Sequence, residues 1–339
     1  MTLSVFHEKS KCLAKKHLSP EIYRLLEHKK TGSGFTLLKA INSGIKNIDS
    51  SIGIYAGDSM SYDTFAPVFD PVIREYHGFP EGKKHKSDIG KIELANLDPE
   101  KRYIRSMRIR IARNLNNFDF PPHINLSYRQ KLEKKIVSAL NSLKGNLQGQ
   151  YYPFKNHSSS KNSDSKKQLS FPKGDRFQDA AGINSDFPKC RGVFKSFGKP
   201  LMVWVNEEDH LRLISLRMSA DIVKVYNDVC IAIDKLSQNL DFAWHDTYGY
   251  LTSCPTNTGT SMRAGVHIQL KKLAQNRTIL NDIAYSYNLQ IRGTRGEKTR
   301  VENAVFDVSN LQRLGISEYE TIQNLHKGLE SMIKTEKRL

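Results

Sequence analysis

The sequence predicts an α+β protein: a small all-helical N-terminal domain, then a larger domain mixing strands and helices. Two observations carry this. The first ~80 residues read as short helices marked by caps and apolar spacing. From Tyr103 onward, short alternating or apolar runs interleave with segments of helical periodicity.

Ser19-Pro20-Glu21 places a cap residue and a first-turn proline ahead of Ile22, Leu25 and Leu26, which marks a helix start. Residues 36–41 are helical as well. Residues 50–58, SSIGIYAGD, break the pattern and read as a loop. Ser61–Phe69 and Asp70–Tyr76 are the next helical candidates. Residues 81–102 are rich in Gly, Lys, Asp and Pro and read as a linker. The helical domain is therefore placed at 1–80 and the larger domain at 103–339.

Tyr103–Arg113 alternates like a strand. Ser127–Leu140 gathers Leu132, Ile136, Val137 and Leu140 on one helical side. Leu201–Val205 and Leu211–Met218 flank a charged turn, as the arms of a hairpin do. Asp221–Leu236 and Arg277–Tyr287 are helices. Gly249–Cys254, Ala264–Leu270, Leu289–Arg292 and Ala304–Ser309 are strands. Ser317 caps a final helix to Lys334, with Glu320 three residues on. Residues 155–168, KNHSSSKNSDSKKQ, have no apolar side chains to bury and form the low-complexity segment.

The 339 residues are enough for two domains. A hydrophobic content of 38% and a charged content of 26% are those of an ordinary globular chain. No stretch approaches the ~18–20 apolar residues of a membrane span, so no membrane partner is expected. The N-terminus lacks an apolar core followed by a small-residue cleavage site, and a cytoplasmic location is expected. Cys12, Cys190, Cys230 and Cys254 share no short zinc or redox spacing, and a disulfide framework is not expected in a chain this long and cysteine-poor. The net charge of +17 would suit a nucleic acid, a headgroup surface or a small polyanion. There is no Lys/Arg block, zinc-finger spacing or stacking-aromatic motif, so nucleic acid is not an expected partner.

Four segments concentrate chemistry. Arg108 and Arg110 fall on one face of a strand, as a period of two requires. Two parallel guanidinium forks suit a polyphosphate; a basic solvent face is the plain alternative. Asn206–Arg212 packs carboxylates, an imidazole and a guanidinium between two apolar runs, which also describes a charged hairpin tip. One His without a spaced second is a weak metal signal. Cys254 ends a strand before the polar loop 255–263. A thiolate could be stabilised there and loop amides could hold an anion, although no Walker-type Gly-Lys-Ser/Thr closes the loop. Residues 292–297, RGTRGE, set two glycines beside basic groups, which lets backbone approach a ligand and lets a loop move. Many arginines with carboxylates and a thiol suit phosphoryl transfer, with the acceptor left open.

Together these segments resemble the signatures of the ATP:guanidino phosphotransferases, the phosphagen kinases, with arginine-type members nearest in pattern. The matching segments are 203–212, 254–257 and 292–297, supported by 53–58, 69–73, 149–153 and 307–310. They run in family order over nearly the whole chain. The resemblance implies a larger domain built on an antiparallel sheet flanked by helices, and reversible transfer of the γ-phosphoryl of MgATP to a guanidino nitrogen. It implies that Arg108, Arg110, Arg212, Arg263 and Arg292 bind the phosphates. Ser106, Met107, Ile109, Ala264, Gly265, Val266, His267, Gly293, Thr294, Arg295, Gly296 and Glu297 complete the ATP-binding segments. Glu208 and Glu297 would grip and align the guanidinium, with Cys254 as a thiolate against it and Arg292 in the catalytic set. Ser51, Ile52, Gly53, Ile54 and Tyr55 form the acceptor loop, whose shortness favours L-arginine over creatine. Mg2+ would arrive with the nucleotide, held by phosphates and water rather than by protein ligands.

Several positions depart from the family pattern. Gln168 stands where a nucleotide-packing histidine is usual, and Ser185 where an arginine is usual. After Glu297, the usual His-Thr-Glu reads Lys298-Thr299-Arg300. These changes predict weaker ATP binding and reduced turnover. A family member of low or no activity, acting as a binding protein, is the alternative they raise.

Overall fold

Side-chain caps start two of the N-terminal helices. The structure, a computed structural model, describes residues 5–154, 170–198, 200–294 and 299–339. Helices α1 (Leu13–His17), α2 (Pro20–Leu26), α3 (Leu37–Lys46), α4 (Ser61–Thr64) and α5 (Ala66–His77) come first. Ser19 caps α2 by accepting from the Ile22 amide at 3.2 Å, and Thr36 caps α3. Helix α5 stops at Gly78, which takes the left-handed conformation that favours glycine. Phe35, Leu37, Ile41, Ile54, Phe65, Phe69 and Ile73 are fully buried among these helices. The same apolar cluster continues into Phe120, Ile183, Tyr248, Leu251, Cys254 and Leu314. The helical region is thus packed onto the loops that carry Cys254.

Residues 79–102 carry no helix or strand, yet they are pinned. The Asp98 carboxylate accepts from the amides of Arg102, Tyr103 and Ile104 at 2.9, 2.7 and 2.7 Å. Ile92 is buried in the main core, and the Glu318 carboxylate accepts from Ser87 Oγ and the Asp88 amide.

The larger region runs β1 (Ile104–Arg113), α6 (Leu126–Asn141), β2 (Gly149–Pro153), α7 (Arg176–Ala180), β3 (Gly192–Ser196), β4 (Leu201–Val205), β5 (Leu211–Arg217) and α8 (Ile222–Ser237). It continues with β6 (Trp244–His245), β7 (Gly249–Tyr250), β8 (Met262–Gln269), α9 (Arg277–Ser286), β9 (Leu289–Arg292), β10 (Val305–Asn310) and α10 (Glu318–Arg338). Eight strands form one sheet in the order β2-β3-β4-β5-β1-β8-β10-β9. Every neighbouring pair is antiparallel. Met107, Ile109, Ile111, Leu213, Ala264, Val266 and Val308 point to one face and meet Leu132, Ile136, Val225, Val229, Leu325 and Leu329 of the helices. The opposite face is free for polar side chains, because a strand alternates sides.

Strands β2 and β3 are not predicted from the sequence. Each is short, and β2 lies at the sheet edge and ends in a proline. The run 249–254 pairs at Gly249–Tyr250 opposite β6, with one further isolated bridge from Tyr250 to Gly259. A 3-10 turn follows at Pro255–Asn257, where the proline has no amide to give a ladder. The low-complexity segment 155–168, including Gln168, lies outside the described residues. Among the described residues no helix is long and apolar enough to cross a membrane.

Candidate active site

Strand β1 is central, so its side chains occupy the middle of the sheet. Arg108 lies opposite Gly265 of β8 and Leu216 of β5; Arg110 lies opposite Arg263 and Ile214. Directly opposed residues share a face. Ser106, Arg108, Arg110, Arg263 and His267 therefore stand together, and Arg212 joins them beside Ala112. Asp307 of β10 faces His267 on one side and Arg292 of β9 on the other. The side chains of Met107, Ile109, Ala264 and Val266 take the opposite face and are buried in the core. These four were expected among the ATP-binding residues, but strand alternation turns their side chains into the core and away from the cavity.

That cavity measures about 320 Å³ and is lined by Ser106, Arg108, Arg110, Arg263, Gly265 and His267, with Asp307, Leu216 and Met218. Gly265 lies on its floor: an added Cβ would come within 3.2 Å of Asp307 Oδ1. A second, smaller recess adjoins it, lined by Arg110, Arg212, Asn257, Ser261, Arg263 and Arg313. Arg263 is held by Asp307 at 2.6 Å and by Ser309 Oγ at 3.3 Å. Arg292 donates to Gln290 Oε1 from Nη2 at 3.0 Å. Among the described residues neither Arg108 nor Arg110 has an acceptor within hydrogen-bond distance, and Arg108 Nε is buried without a partner. Burial first, and then the charges of Arg212 and Arg263, hold the Arg110 guanidinium well below its ordinary pKa. The same causes lower Arg108. A cluster of arginines crowded this way is completed by a ligand rich in negative charge.

The turn between β4 and β5 is not a solvent-exposed hairpin tip. Asn206, Asp209 and His210 are fully buried. Asn206 takes a φ of 59° and donates from Nδ2 to Cys190 O at 2.8 Å. His210 accepts from the Leu115 amide at Nδ1 and donates from Nε2 to Asp119 O, both at 2.9 Å. Burial pushes its pKa down to about 3, so the ring is neutral. With its side chains spent inside, the turn aims Glu207 and Glu208 at Arg212, each at 2.7 Å. Burial alone would lower Arg212, but Glu207, Glu208 and Asp209 outweigh it and raise its pKa. Burial pushes Glu207 up. Arg212 also lies 5.8 Å from the centre of the Trp204 ring.

Glu208 reaches the loop after β7 through Asn257, whose Nδ2 approaches Oε1 at 3.5 Å. Cys254 is buried in that loop, 3.1 Å from Thr256 Oγ1. Burial, and then the nearby Glu208 carboxylate, push the thiol up to about 12. The expected thiolate is therefore not favoured by the protein's own groups and needs an added positive charge.

Residues 50–58 close the other side. The Ala56 amide donates to Ser253 O at 2.8 Å, which ties this loop to the residue before Cys254. The carbonyls of Ser51 and Ile52 accept from the amides of Leu13 and Ala14 at 3.0 and 2.9 Å. Gly53 has a φ of 73°, and a Cβ there would fall 2.5 Å from Cys12 Sγ, so only glycine fits. Tyr55 is buried, and burial followed by the charges of Cys254 and Glu208 raises its pKa. Ile54 is buried beside it.

Thr294 bonds Val305 O through Oγ1 at 2.7 Å, which extends the end of β9 beyond Gly293. Arg295, Gly296 and Glu297 lie outside the described residues, as does Lys298. Ser185 sits on an exposed turn and donates to Gly182 O at 2.7 Å. The neighbouring Arg191 spends its guanidinium on the carbonyls of Ile183, Ser185 and Lys189. Among the described residues no three His, Cys, Asp or Glu side chains group as a metal site. Sequence reasoning missed Asp307 and Arg313 as site residues. Asp307 falls within the segment 307–310, but its pairing with Arg263 spans 44 positions. Arg313 carries no spacing signal.

Comparison with known proteins fits this arrangement. The ATP:guanido phosphotransferase C-terminal catalytic domain matches residues 131–339, and the N-terminal domain of the same family matches residues 8–74. Arginine kinase of Limulus polyphemus is 44% identical over 335 residues, covering 96% of this chain and 93% of the relative. Arginine kinase Lit v 2 of Penaeus vannamei is 42% identical, covering 97% and 94%. A crystal structure of lombricine kinase superposes with a TM-score of 0.90 at 32% identity, covering 97% of this chain and 93% of that one. The substrate-free duplicated taurocyamine kinase from Schistosoma mansoni gives 0.87 at 33%, covering 97% of this chain and 47% of that one. Identity at this level over nearly the full length, with both family domains in order, means that the chain belongs to the ATP:guanido phosphotransferase family.

Proposed function

We propose that the chain transfers the γ-phosphoryl group of MgATP reversibly to the guanidino group of L-arginine, giving phosphoarginine and ADP. One observation carries the reading. A sheet face crowded with Arg108, Arg110, Arg263 and Arg212 is joined to Glu208 and Cys254 through the 2.7 Å Arg212–Glu208 pair. That ion pair, and the approach of Asn257 to Glu208, support a phosphate side and an acceptor side that adjoin.

In the forward direction a guanidino nitrogen of arginine attacks the γ-phosphorus. The bond from that phosphorus to the β–γ bridging oxygen breaks, and its electron pair leaves with ADP. The arginines neutralise charge spread over the transferring oxygens. The proton lost by the guanidinium passes to Glu208 or Glu297. A guanidinium holds its proton to a pKa above ~12, so alignment by the carboxylates matters more than base strength. The cation between Glu208 and Cys254 also supplies the positive charge that a thiolate needs there. Mg2+ enters as part of the nucleotide. A cytoplasmic location, where MgATP is plentiful, suits this reading.

The division at residues 81–102 between helical and sheet regions is supported by the two family-domain matches on either side. Gln168 and Ser185 support weaker nucleotide binding than is usual in the family. The double variant Gln168→His, Ser185→Arg should then lower KM for MgATP, and an unchanged KM would remove that proposal. Lombricine and taurocyamine, named in the structural relatives, are the competing acceptors. ADP release measured with arginine, lombricine, taurocyamine and creatine should give the highest kcat/KM for arginine. A higher value for another guanidine would overturn the arginine assignment.

A further inference from the structure

Five consecutive carbonyls around Cys254 each accept a hydrogen bond. Thr252 O accepts from the Tyr62 hydroxyl at 2.8 Å and Ser253 O from the Ala56 amide at 2.8 Å. Cys254 O accepts from Thr252 Oγ1 at 2.7 Å, Pro255 O from His77 Nε2 at 2.9 Å, and Thr256 O from Arg313 Nη1 at 3.1 Å. Buried carbonyls require partners, so the geometry of this turn is set by whatever supplies the donors. Tyr62, Ala56 and His77 all come from the N-terminal helical region. The thiol turn belongs to the sheet region but is shaped from across the boundary.

His77 holds the most informative of these contacts. It closes helix α5, which touches the Pro255–Asn257 turn directly. Pro255 has no amide, so its carbonyl is its one backbone hydrogen-bonding group. The Thr258 amide reaches the same oxygen only at 3.3 Å. The ring is buried and packs edge-on against Tyr76, with centroids 5.0 Å apart. Burial pushes its pKa down to about 4, so it is neutral near pH 7 and donates from Nε2. His77 lines neither cavity.

We propose that His77 is a positioning residue for the acceptor site, holding the turn after Cys254 so that the thiol stays at the bound guanidinium. This rests on the reading of Cys254 as an acceptor-facing residue. The helical region then has a second role besides carrying the acceptor loop: it fixes the opposite wall of the same pocket.

The test uses the full chain with His77→Leu, which removes the donor, His77→Asn, which shortens it, and His77→Gln, which keeps an N–H at similar reach. Iodoacetamide labelling of Cys254, located by peptide mass, is followed with and without L-arginine. KM values for L-arginine and MgATP are measured separately. The Leu and Asn variants should label Cys254 about 3–10-fold faster and raise KM for arginine by a similar factor, the scale of one lost buried hydrogen bond. KM for MgATP should stay within about twofold, and the Gln variant should restore both readouts. A general loss of structure would instead move both KM values. Should the Leu variant fail to fold, the Asn and Gln pair decides. Wild-type labelling and arginine KM in Leu and Asn, or a Gln variant as impaired as Asn, would overturn the proposal. If saturating arginine does not slow labelling of the wild type, the underlying reading of Cys254 fails, and this proposal with it.

Discussion

Arg110 illustrates what a single residue costs and contributes at this site. It is half-buried, has no acceptor among the described residues, and lies among Arg108, Arg212 and Arg263. Like charges held this close destabilise the fold and are repaid when a polyphosphate binds. Arg110→Ala should therefore lower kcat about 10²–10³-fold, the usual loss for one preorganised donor, while raising the melting temperature. A fall in both would mean that Arg110 serves the fold rather than phosphate. Arg110→Lys should recover little activity, because an ammonium cannot present two parallel donors. Arg108 and Arg110 were legible from the sequence because strand alternation alone places them together. Asp307 and Arg313 were not, because their meaning lies in tertiary pairing across the sheet and across the Thr256 turn.

Among elements, the loop 50–58 and the turn 206–210 differ in how well the sequence foretold them. The loop reads from the sequence as a break in helical pattern and is one, yet nothing in the pattern shows that Gly53 must pass over Cys12. Gly53→Ala places a methyl 2.5 Å from Cys12 Sγ at a φ of 73°. It should cost about 1–3 kcal/mol of stability and raise KM for arginine more than KM for MgATP. Equal changes in the two KM values would detach this loop from the acceptor. The turn 206–210 reads as an exposed charged tip, since charge density is what a one-dimensional pattern records. In three dimensions Asn114 and the Ser253 amide take Asp209 inward, each at 2.7 Å.

Burial, and then Glu208, push Asp209 up to about 7, and its Oδ2 has no partner among the described residues. Its folded pKa lies above the ~3.9 of an unfolded aspartate. The stability it contributes is complete below about pH 4 and is lost as pH rises through about 7. Asp209→Asn should thus gain on the wild type in urea midpoint between pH 5 and pH 8. A constant difference across that range would refute the buried, raised carboxyl.

Across the whole molecule, the α+β division, the cap residues and six of the strands follow from caps, periodicity and turn chemistry. The edge strands β2 and β3 do not, because five-residue segments beside glycines and a proline carry too little alternation. The way the two regions meet was not legible either. It rests on contacts between distant residues, such as Tyr62 with Thr252 and His77 with Pro255. Burial of neutral imidazoles has a global consequence. His77 and His85 are pushed down to about 4 and His210 to about 3, in each case chiefly by burial. An unfolded histidine titrates near 6.5, so their contribution is present above that pH and lost as pH falls through about 4. The urea midpoint should drop steeply between pH 6.5 and pH 4, and His210→Gln should flatten the slope. An unchanged slope would locate the acid sensitivity elsewhere.

On the proposed reading, the arginine-lined sheet face binds MgATP while Glu208 and Cys254 hold a guanidinium. The most direct measurement is phosphorus NMR of the purified full chain with MgATP and L-arginine. The account predicts a growing phosphoarginine resonance, matched by loss of the γ-phosphate signal of ATP and appearance of ADP. It also predicts that the signal grows about 10²–10³-fold more slowly in Arg110→Ala and is strongly slowed in Cys254→Ser. Unchanged ATP at every arginine concentration, or ATP converted to ADP and inorganic phosphate with no phosphoarginine, would contradict it.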